Sequence, residues 1–192
     1  MKKLFLFALP LVLLVACKGV EQYRAGIEEL SGSWDTTTKA ITDFAGMVSS
    51  DMTNYTQAAA SMPMMDEATA KKMKPEQIAA IDAAKKGVTD ALAAYAPLQQ
   101  TINDFVKTWS EKAADVTALK DGLAAGKIEG DVTAKLTELN AMVATGNDNL
   151  KAWEASYATV KGGVEAAMAA MKQAMSAAMP AAPAASTTMK KK

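Results

Sequence analysis

The composition of the chain and the spacing of its apolar residues predict an all-α protein. Of its 192 residues, 40 are alanine, half are hydrophobic and only 6% are aromatic. Alanine is the strongest helix former, and runs of β-branched residues are few. The apolar residues recur every three or four positions, which is the spacing of one helix face. We therefore expect an up-down-up antiparallel three-helix coiled-coil bundle with long helices.

The first predicted helix covers residues 20–62 and ends where Pro63 interrupts the pattern. Thr37 and Asp51 stand in register on its apolar stripe, and Asp51 is expected to fix the register of packing. The apolar positions of the stripe are Val20, Tyr23, Ile27, Leu30, Trp34, Ile41, Phe44, Val48, Tyr55 and Met62. Steps of three and four residues over this length are typical of a coiled-coil seam.

The second predicted helix covers residues 76–123 and follows Pro75, which suits a first helical turn. Pro97 lies in its middle and is expected to kink it, because the proline ring clashes with the carbonyl four residues earlier. Lys85 and Lys120 fall on the stripe, so they are expected at the seam, where they would help to set the register. The apolar positions are Ile78, Ile81, Val88, Leu92, Tyr95, Ile102, Val106, Trp109, Val116 and Leu123.

The third predicted helix covers residues 131–179, with Asp131 as its N-cap and Pro180 beyond its end. Its stripe consists of Val132, Leu136, Leu139, Val143, Leu150, Trp153, Tyr157, Val160, Val164 and Met171. When the chain is folded at its two turns, Gly146 comes to face Trp109, which needs the room. The segment 146–149, Gly-Asn-Asp-Asn, is also a weak point, and a break there would give four helices instead of three.

Composition excludes several classes of function. The chain has no histidine, so imidazole bases, Ser-His-Asp and Cys-His nucleophile systems and histidine-containing zinc sites are excluded. Lys plus Arg and Asp plus Glu number 21 each, so no basic field indicates a nucleic-acid partner. No phosphate-binding glycine loop or EF-hand pattern is present. We expect a protein that is not an enzyme and needs no cofactor.

Residues 1–16 are typical of a signal peptide, with Lys2 and Lys3 ahead of an apolar run that ends at Val15. Cys17, the only cysteine, follows directly. The tetrapeptide Leu14-Val15-Ala16-Cys17 resembles the lipobox of bacterial lipoproteins. That resemblance implies cleavage before Cys17, acylation of this residue with palmitate-type chains, and a membrane anchor in the cell envelope. By analogy with enterobacterial sorting, Lys18 favours the outer membrane facing the periplasm; exposure at the cell surface is the alternative.

Methionine is abundant, with 13 residues, and eight of them gather at one end of the predicted bundle. Their thioethers could bind Cu(I), form an adaptable surface for apolar segments of a partner, or simply fill gaps in the core. The eight residues are Met62, Met64, Met65, Met73, Met168, Met171, Met175 and Met179.

Residues 180–192 form a Pro/Ala/Lys tail for which we expect an extended, disordered spacer. A lipidated N-terminus, a helical body and a C-terminal lysine are similar in layout to the major murein lipoprotein. The resemblance implies Lys192 as a possible attachment point for peptidoglycan, although the Tyr-Arg-Lys ending of that family is absent.

These observations predict a lipid-anchored helical envelope protein with a structural, scaffolding or partner-binding role. Its expected partners are the membrane and an envelope protein or the cell wall, and self-association through alanine-rich faces is compatible with the pattern. The two alternatives are a ligand-binding lipoprotein with a methionine-rich end and a peptidoglycan tether.

Overall fold

The computed structural model describes residues 19–62 and 67–178, and this part of the chain is helical, with no strand. The helices are α1 (Arg24–Ala60), α2 (Glu67–Ala70), α3 (Pro75–Ala93), α4 (Tyr95–Ala124) and α5 (Val132–Ala178). The all-α prediction is confirmed, but the described ranges contain four long helices rather than the three expected. Within the described ranges, none of these helices combines the length and the apolar character that crossing a bilayer requires.

The expected second helix is divided at Ala94 into α3 and α4. Pro97 has no N–H to donate to the carbonyl of Ala93, and its ring crowds that carbonyl. The backbone N–H of Ala94 instead bonds the carbonyl of Ala91 at 3.2 Å, a tightened turn of three residues. The expected kink is therefore a helix end. At the other predicted weak point, residues 146–149, the helix is not interrupted: α5 is continuous from Val132 to Ala178.

The ends of the long helices follow from local chemistry. Pro75 occupies the first turn of α3, and the Lys74 N–H donates to the Gln77 side-chain oxygen at 2.9 Å. Beyond α4, Gly126 adopts a φ of 69°, the left-handed conformation that commonly ends a helix. Asp131 is the N-cap of α5, as predicted, since its Oδ1 accepts the Ala134 N–H at 3.0 Å.

The chain packs as two compact units. Of the described residues, unit 1 comprises 19–49 together with Pro97–Ser156, and unit 2 comprises 50–62, 67–96 and 157–178. Helices α1 and α5, and α4 through its first two residues, contribute to both units. Each unit therefore contains segments that are distant in sequence, and its core is built from contacts between them.

The core of unit 1 is aromatic. Trp34 of α1 and Trp109 of α4 stack with ring centroids 3.8 Å apart and planes 16° from parallel. Trp153 of α5 lies 6.3 Å from Phe44 and meets Phe105 edge-on at 5.5 Å. The buried face of α1 follows the predicted stripe, with buried positions Ile27, Leu30, Trp34, Thr37, Ile41, Phe44 and Val48.

Gly146 faces Trp109, as the folded sequence predicted. A Cβ atom at this position would lie 3.1 Å from Trp109 Cζ3 and 3.0 Å from Thr37 Cγ2. The Trp109 indole N–H also donates to the Thr38 hydroxyl at 2.8 Å. The glycine therefore lets α5 approach the tryptophan pair closely.

Two charged positions of the predicted seams are not buried. Lys85 and Lys120 are exposed, whereas Leu98 and Leu119, which flank the expected stripe, are buried. The cause is the period: a straight α-helix of 3.6 residues per turn drifts about 20° per heptad away from a strict seven-residue repeat. In contrast, the side chain of Asp51 on α1 is only one-quarter exposed and forms an ion pair with Lys161.

Candidate functional site

Unit 2 contains a set of polar side chains that face one another, which we call the tyrosine–carboxylate cluster. Helix α5 supplies three of them at four-residue intervals, so they lie along one face of the helix. The cluster consists of Asp51 and Tyr55 of α1, Tyr95 of α4, and Tyr157, Lys161 and Glu165 of α5.

Asp51 is the best-paired carboxylate of the cluster. The Tyr157 hydroxyl donates to Asp51 Oδ2, and Lys161 Nζ lies 3.1 Å from the same oxygen. Lys161 Nζ also lies 3.5 Å from the Tyr157 hydroxyl. The hydrogen bond from Tyr157 has the largest effect on the pKa of Asp51 and, together with that from Lys161, lowers it below its ordinary value. The pairing with Asp51 in turn raises the pKa of Lys161.

The second half of the cluster is a tyrosine pair. Tyr55 donates to Glu165 Oε1 at 2.7 Å, which together with burial raises the pKa of Tyr55 to about 12. Its ring centroid is 6.5 Å from that of Tyr95. Tyr95 is fully buried, and its hydroxyl has no hydrogen-bond partner within the described residues. Burial is also the main cause that raises the pKa of Tyr95.

The electrostatics of this cluster favour pairing over catalysis. Burial and the Asp51 contact raise the pKa of Tyr157, so all three phenols stay protonated at neutral pH. The raised pKa of Lys161 keeps its amine protonated and therefore a poor nucleophile. An acid–base catalyst needs a pKa near the operating pH, whereas these pKa values are displaced away from neutrality. The contacts instead join α1 to α5 within unit 2.

The second neighbourhood of unit 2 is the methionine core. We use this name for the buried residues Ile81, Val88, Met171 and Ala178, with the half-buried methionines that pack on them, Met62, Met73, Met168 and Met175. Five of the eight predicted methionines are therefore brought together. They come from the end of α1, the segment before α3, and α5. The other neighbours of this core are Ala59, Ala84, Leu92, Ala167 and Ala174.

Several predicted site residues lie outside the described part of the chain. They are Cys17, Met64, Met65, Met179 and Lys192, together with the expected signal peptide 1–16 and the tail 180–192. Acylation at Cys17 and attachment through Lys192 stay predictions.

Unit 1 has an open polar groove of about 420 Å³ between α1 and α5. Thr36, Thr37 and Asn147 line it alongside Glu28 and Glu29. The Thr37 hydroxyl lies 3.4 Å from the Asn147 side-chain oxygen, and Arg24 pairs with Glu28 at 3.4 Å. The groove is lined mainly by polar side chains, but these contacts alone do not define a binding site for a particular ligand.

Sequence reasoning missed the pairing within the tyrosine–carboxylate cluster. It placed Asp51, Tyr55 and Tyr157 on their stripes but did not connect them to Lys161 or Glu165. The signal was available in the four-residue spacing of Tyr157, Lys161 and Glu165 beside the same spacing of Asp51 and Tyr55.

Within the described ranges, no three carboxylate or thiol side chains stand close enough to hold a metal ion together. Comparison with protein-family models, with curated proteins and with solved structures finds no match to this chain. The interpretation of function therefore depends on the residues themselves.

Proposed function

We propose that this protein is a lipid-anchored helical protein of the bacterial cell envelope, with a structural, scaffolding or partner-binding role and no catalytic activity. The observation that carries the proposal is the sequence Leu14-Val15-Ala16-Cys17 at the end of the apolar run, with Cys17 the only cysteine of the chain. Two or more acyl chains on one residue hold a protein stably at a membrane, because each buried methylene contributes about 0.8 kcal/mol.

The charge state of the tyrosine–carboxylate cluster supports a role without catalysis. Its carboxylate Asp51 is ionised and paired, and its phenols and Lys161 hold their protons. Such groups contribute to the mutual position of two helices and are poorly suited to exchange protons with a substrate at neutral pH.

We also propose that the helical segments pack up-down-up within a unit. In unit 1, paired positions advance together along α1 and α5 but in opposite directions along α4 and α5. The contacts that support this order are Gly26 with Leu136 and Thr37 with Asn147 between α1 and α5, and Lys112 with Glu138 and Phe105 with Trp153 between α4 and α5.

Mass spectrometry of the native protein, taken from the membrane fraction and from boiled, detergent-washed sacculi, tests the anchor. We expect an N-terminal peptide that begins at an acylated Cys17 and a membrane-bound protein. Cys17→Ser is expected to abolish acylation. Native protein that keeps residues 1–16, or that begins elsewhere without lipid, would refute the proposal. Peptides joined through Lys192 to muropeptide would identify the tether alternative.

The packing of five thioethers on one core favours a second candidate function, binding of Cu(I) by the methionine core. Thioethers are soft ligands that select Cu(I) over harder ions. Titration with Cu(I) against a competing chelator measures the affinity. Replacing Met62, Met168 and Met175 by leucine is expected to weaken it at least tenfold, and an unchanged affinity would exclude this function.

A further inference from the structure

The methionine core differs chemically from the core of unit 1. Met171 is one of its four buried residues, and four more methionines pack around these. Among the described residues of unit 1, in contrast, the buried hydrophobic side chains are aliphatic and aromatic and include no methionine. Among the described residues, the one buried thioether, that of Met171, therefore belongs to unit 2.

The methionines of this core are packed and still within reach of small molecules. Met62, Met73, Met168 and Met175 are half-buried, so part of each side chain contacts solvent. Met171 is only 7% exposed. A small oxidant therefore meets the half-buried methionines before it reaches Met171.

We propose that the methionine core is a site of reversible sulfoxidation by peroxides, and that this modification loosens unit 2. In each step a thioether sulfur attacks one oxygen of a peroxide, the O–O bond breaks and an S–O bond forms. With hydrogen peroxide the sulfur first carries an –OH group; this group loses its proton to give the sulfoxide, and the leaving hydroxide takes up a proton and departs as water. The sulfur is oxidised by two electrons and the peroxide is reduced by two. This inference depends on the packing of unit 2 alone and is independent of the proposed anchor.

The loosening follows from the surroundings of the sulfur atoms. A sulfoxide is polar and accepts hydrogen bonds, whereas the residues packed in this core are alanine, isoleucine, leucine, valine and methionine. In the interior of α1, α3 and α5, the backbone N–H groups are already bonded to carbonyls of the same helix. A sulfoxide at Met171, which is 7% exposed, is a buried acceptor without a donor; this is costly, so an oxidised core is expected to open toward solvent.

The chain contains a matched internal control. Met47 lies on α1 in unit 1 and is 42% exposed. Its sulfoxide remains in water, where oxidation removes no packing and leaves no acceptor unpaired. Met47 is therefore expected to oxidise first and with no effect on stability.

Hydrogen peroxide treatment of the purified full chain tests the proposal. Peptide mass spectrometry locates each added oxygen, and circular dichroism follows thermal unfolding. We expect oxidation of the methionine core to lower the Tm by at least about 4 °C, and treatment with methionine sulfoxide reductases of both stereochemical types to restore it. Complete oxidation of Met168, Met171 and Met175 with an unchanged Tm would overturn the proposal.

Two variants assign the effect. A chain with leucine at Met62, Met73, Met168, Met171 and Met175 is expected to keep its Tm after the same treatment, whereas Met47→Leu is expected to lose as much as the wild type. The other seven methionines are present in all three chains, so their oxidation cancels in the comparison; they are Met1, Met52, Met64, Met65, Met142, Met179 and Met189. An equal loss of Tm in the five-leucine chain would refute the assignment.

If the five-leucine chain does not fold, a time course of peroxide oxidation of the wild type shows which methionines cause the loss of Tm. The Tm of samples withdrawn during oxidation is expected to fall in step with the loss of unmodified Met168, Met171 and Met175 peptides. A Tm that instead falls with the oxidation of Met47 overturns the proposal.

Discussion

At position 146 of α5, the lack of a side chain allows the helix to pass close to the stacked tryptophans. A Cβ atom there would lie 3.0 Å from Thr37 Cγ2 and 3.1 Å from Trp109 Cζ3, closer than ordinary contact. We expect Gly146→Ala to lower the free energy of unfolding by about 1–3 kcal/mol through overpacking, although alanine is intrinsically favoured within helices. Urea unfolding followed by circular dichroism measures this change.

Gly162, on the same helix, is the matched control. A Cβ atom there would have no neighbour within 4 Å, and the residue is exposed. Gly162→Ala is expected to raise the free energy of unfolding by about 0.5–1 kcal/mol through helix propensity alone. If both substitutions change stability in the same direction, the packing argument for Gly146 is wrong.

The buried hydroxyl of Tyr95 provides a second test at a single atom. It has no partner within the described residues, so Tyr95→Phe removes a desolvated polar group and keeps the ring. We expect the free energy of unfolding to stay unchanged or to rise by up to about 1 kcal/mol. Tyr157→Phe, which takes a donor from Asp51, is expected to lower it by about 1 kcal/mol. A Tyr95→Phe loss as large as that of Tyr157→Phe would contradict this assignment.

Contacts of single residues were predictable where side-chain size determines the contact, and unpredictable where the alignment of two helices determines it. The meeting of Gly146 with Trp109 follows from folding the chain, because a large ring needs a gap. The bond from Tyr55 to Glu165 requires two helices to be aligned to within one residue, and Glu165 is an exposed residue that is not part of the apolar stripe.

At the scale of the helices, the start of α5 depends on Asp131. Its side chain accepts the Ala134 N–H, one of the amides that a helix start leaves unpaired. We expect Asp131→Ala to lower the free energy of unfolding by about 1 kcal/mol, measured by urea unfolding. Asp148→Ala, inside α5, is the control, because its ion pair with Lys151 is about three-quarters exposed and contributes little. Equal losses in both variants would exclude a capping role.

The helices themselves were largely predictable, since a stripe such as that of α1 marks both the type of element and its buried face. The division at Ala94 was the exception. A proline within a helical pattern either kinks the helix or ends it, and the two outcomes differ by very few backbone hydrogen bonds. Packing of the flanking residues selects between them, and the local sequence around Pro97 does not describe that packing.

At the scale of the molecule, the tyrosine–carboxylate cluster predicts a loss of stability in alkali. The pKa of Tyr55 is raised to about 12, and the pKa values of Tyr95, Tyr157 and Lys161 are raised as well. Groups that hold protons more tightly when folded stabilise the fold below their unfolded pKa, and this stabilisation is lost as the pH rises through the folded pKa. We expect the free energy of unfolding to fall from about pH 10 upward.

The same cluster predicts the opposite dependence in acid. The lowered pKa of Asp51 means that its contribution is present at neutral pH and is lost as the pH falls below about 4. Urea unfolding at a series of pH values measures the loss of stability in acid (the acid limb) and in alkali (the alkaline limb). Asp51→Asn is expected to reduce the acid limb, and Tyr55→Phe the alkaline one. An alkaline limb unchanged by Tyr55→Phe would show that other groups cause it.

The tryptophans are distributed between the two units in a way that gives unit 1 an optical signal of its own. All three tryptophans, Trp34, Trp109 and Trp153, lie in unit 1, whereas Tyr55, Tyr95 and Tyr157 lie in unit 2. Indole fluorescence excited at the red edge therefore reports on unit 1 alone, whereas circular dichroism follows the helices of both units. One denaturation experiment on the unlabelled chain, followed by both signals, thus compares the unfolding of unit 1 with that of the whole chain.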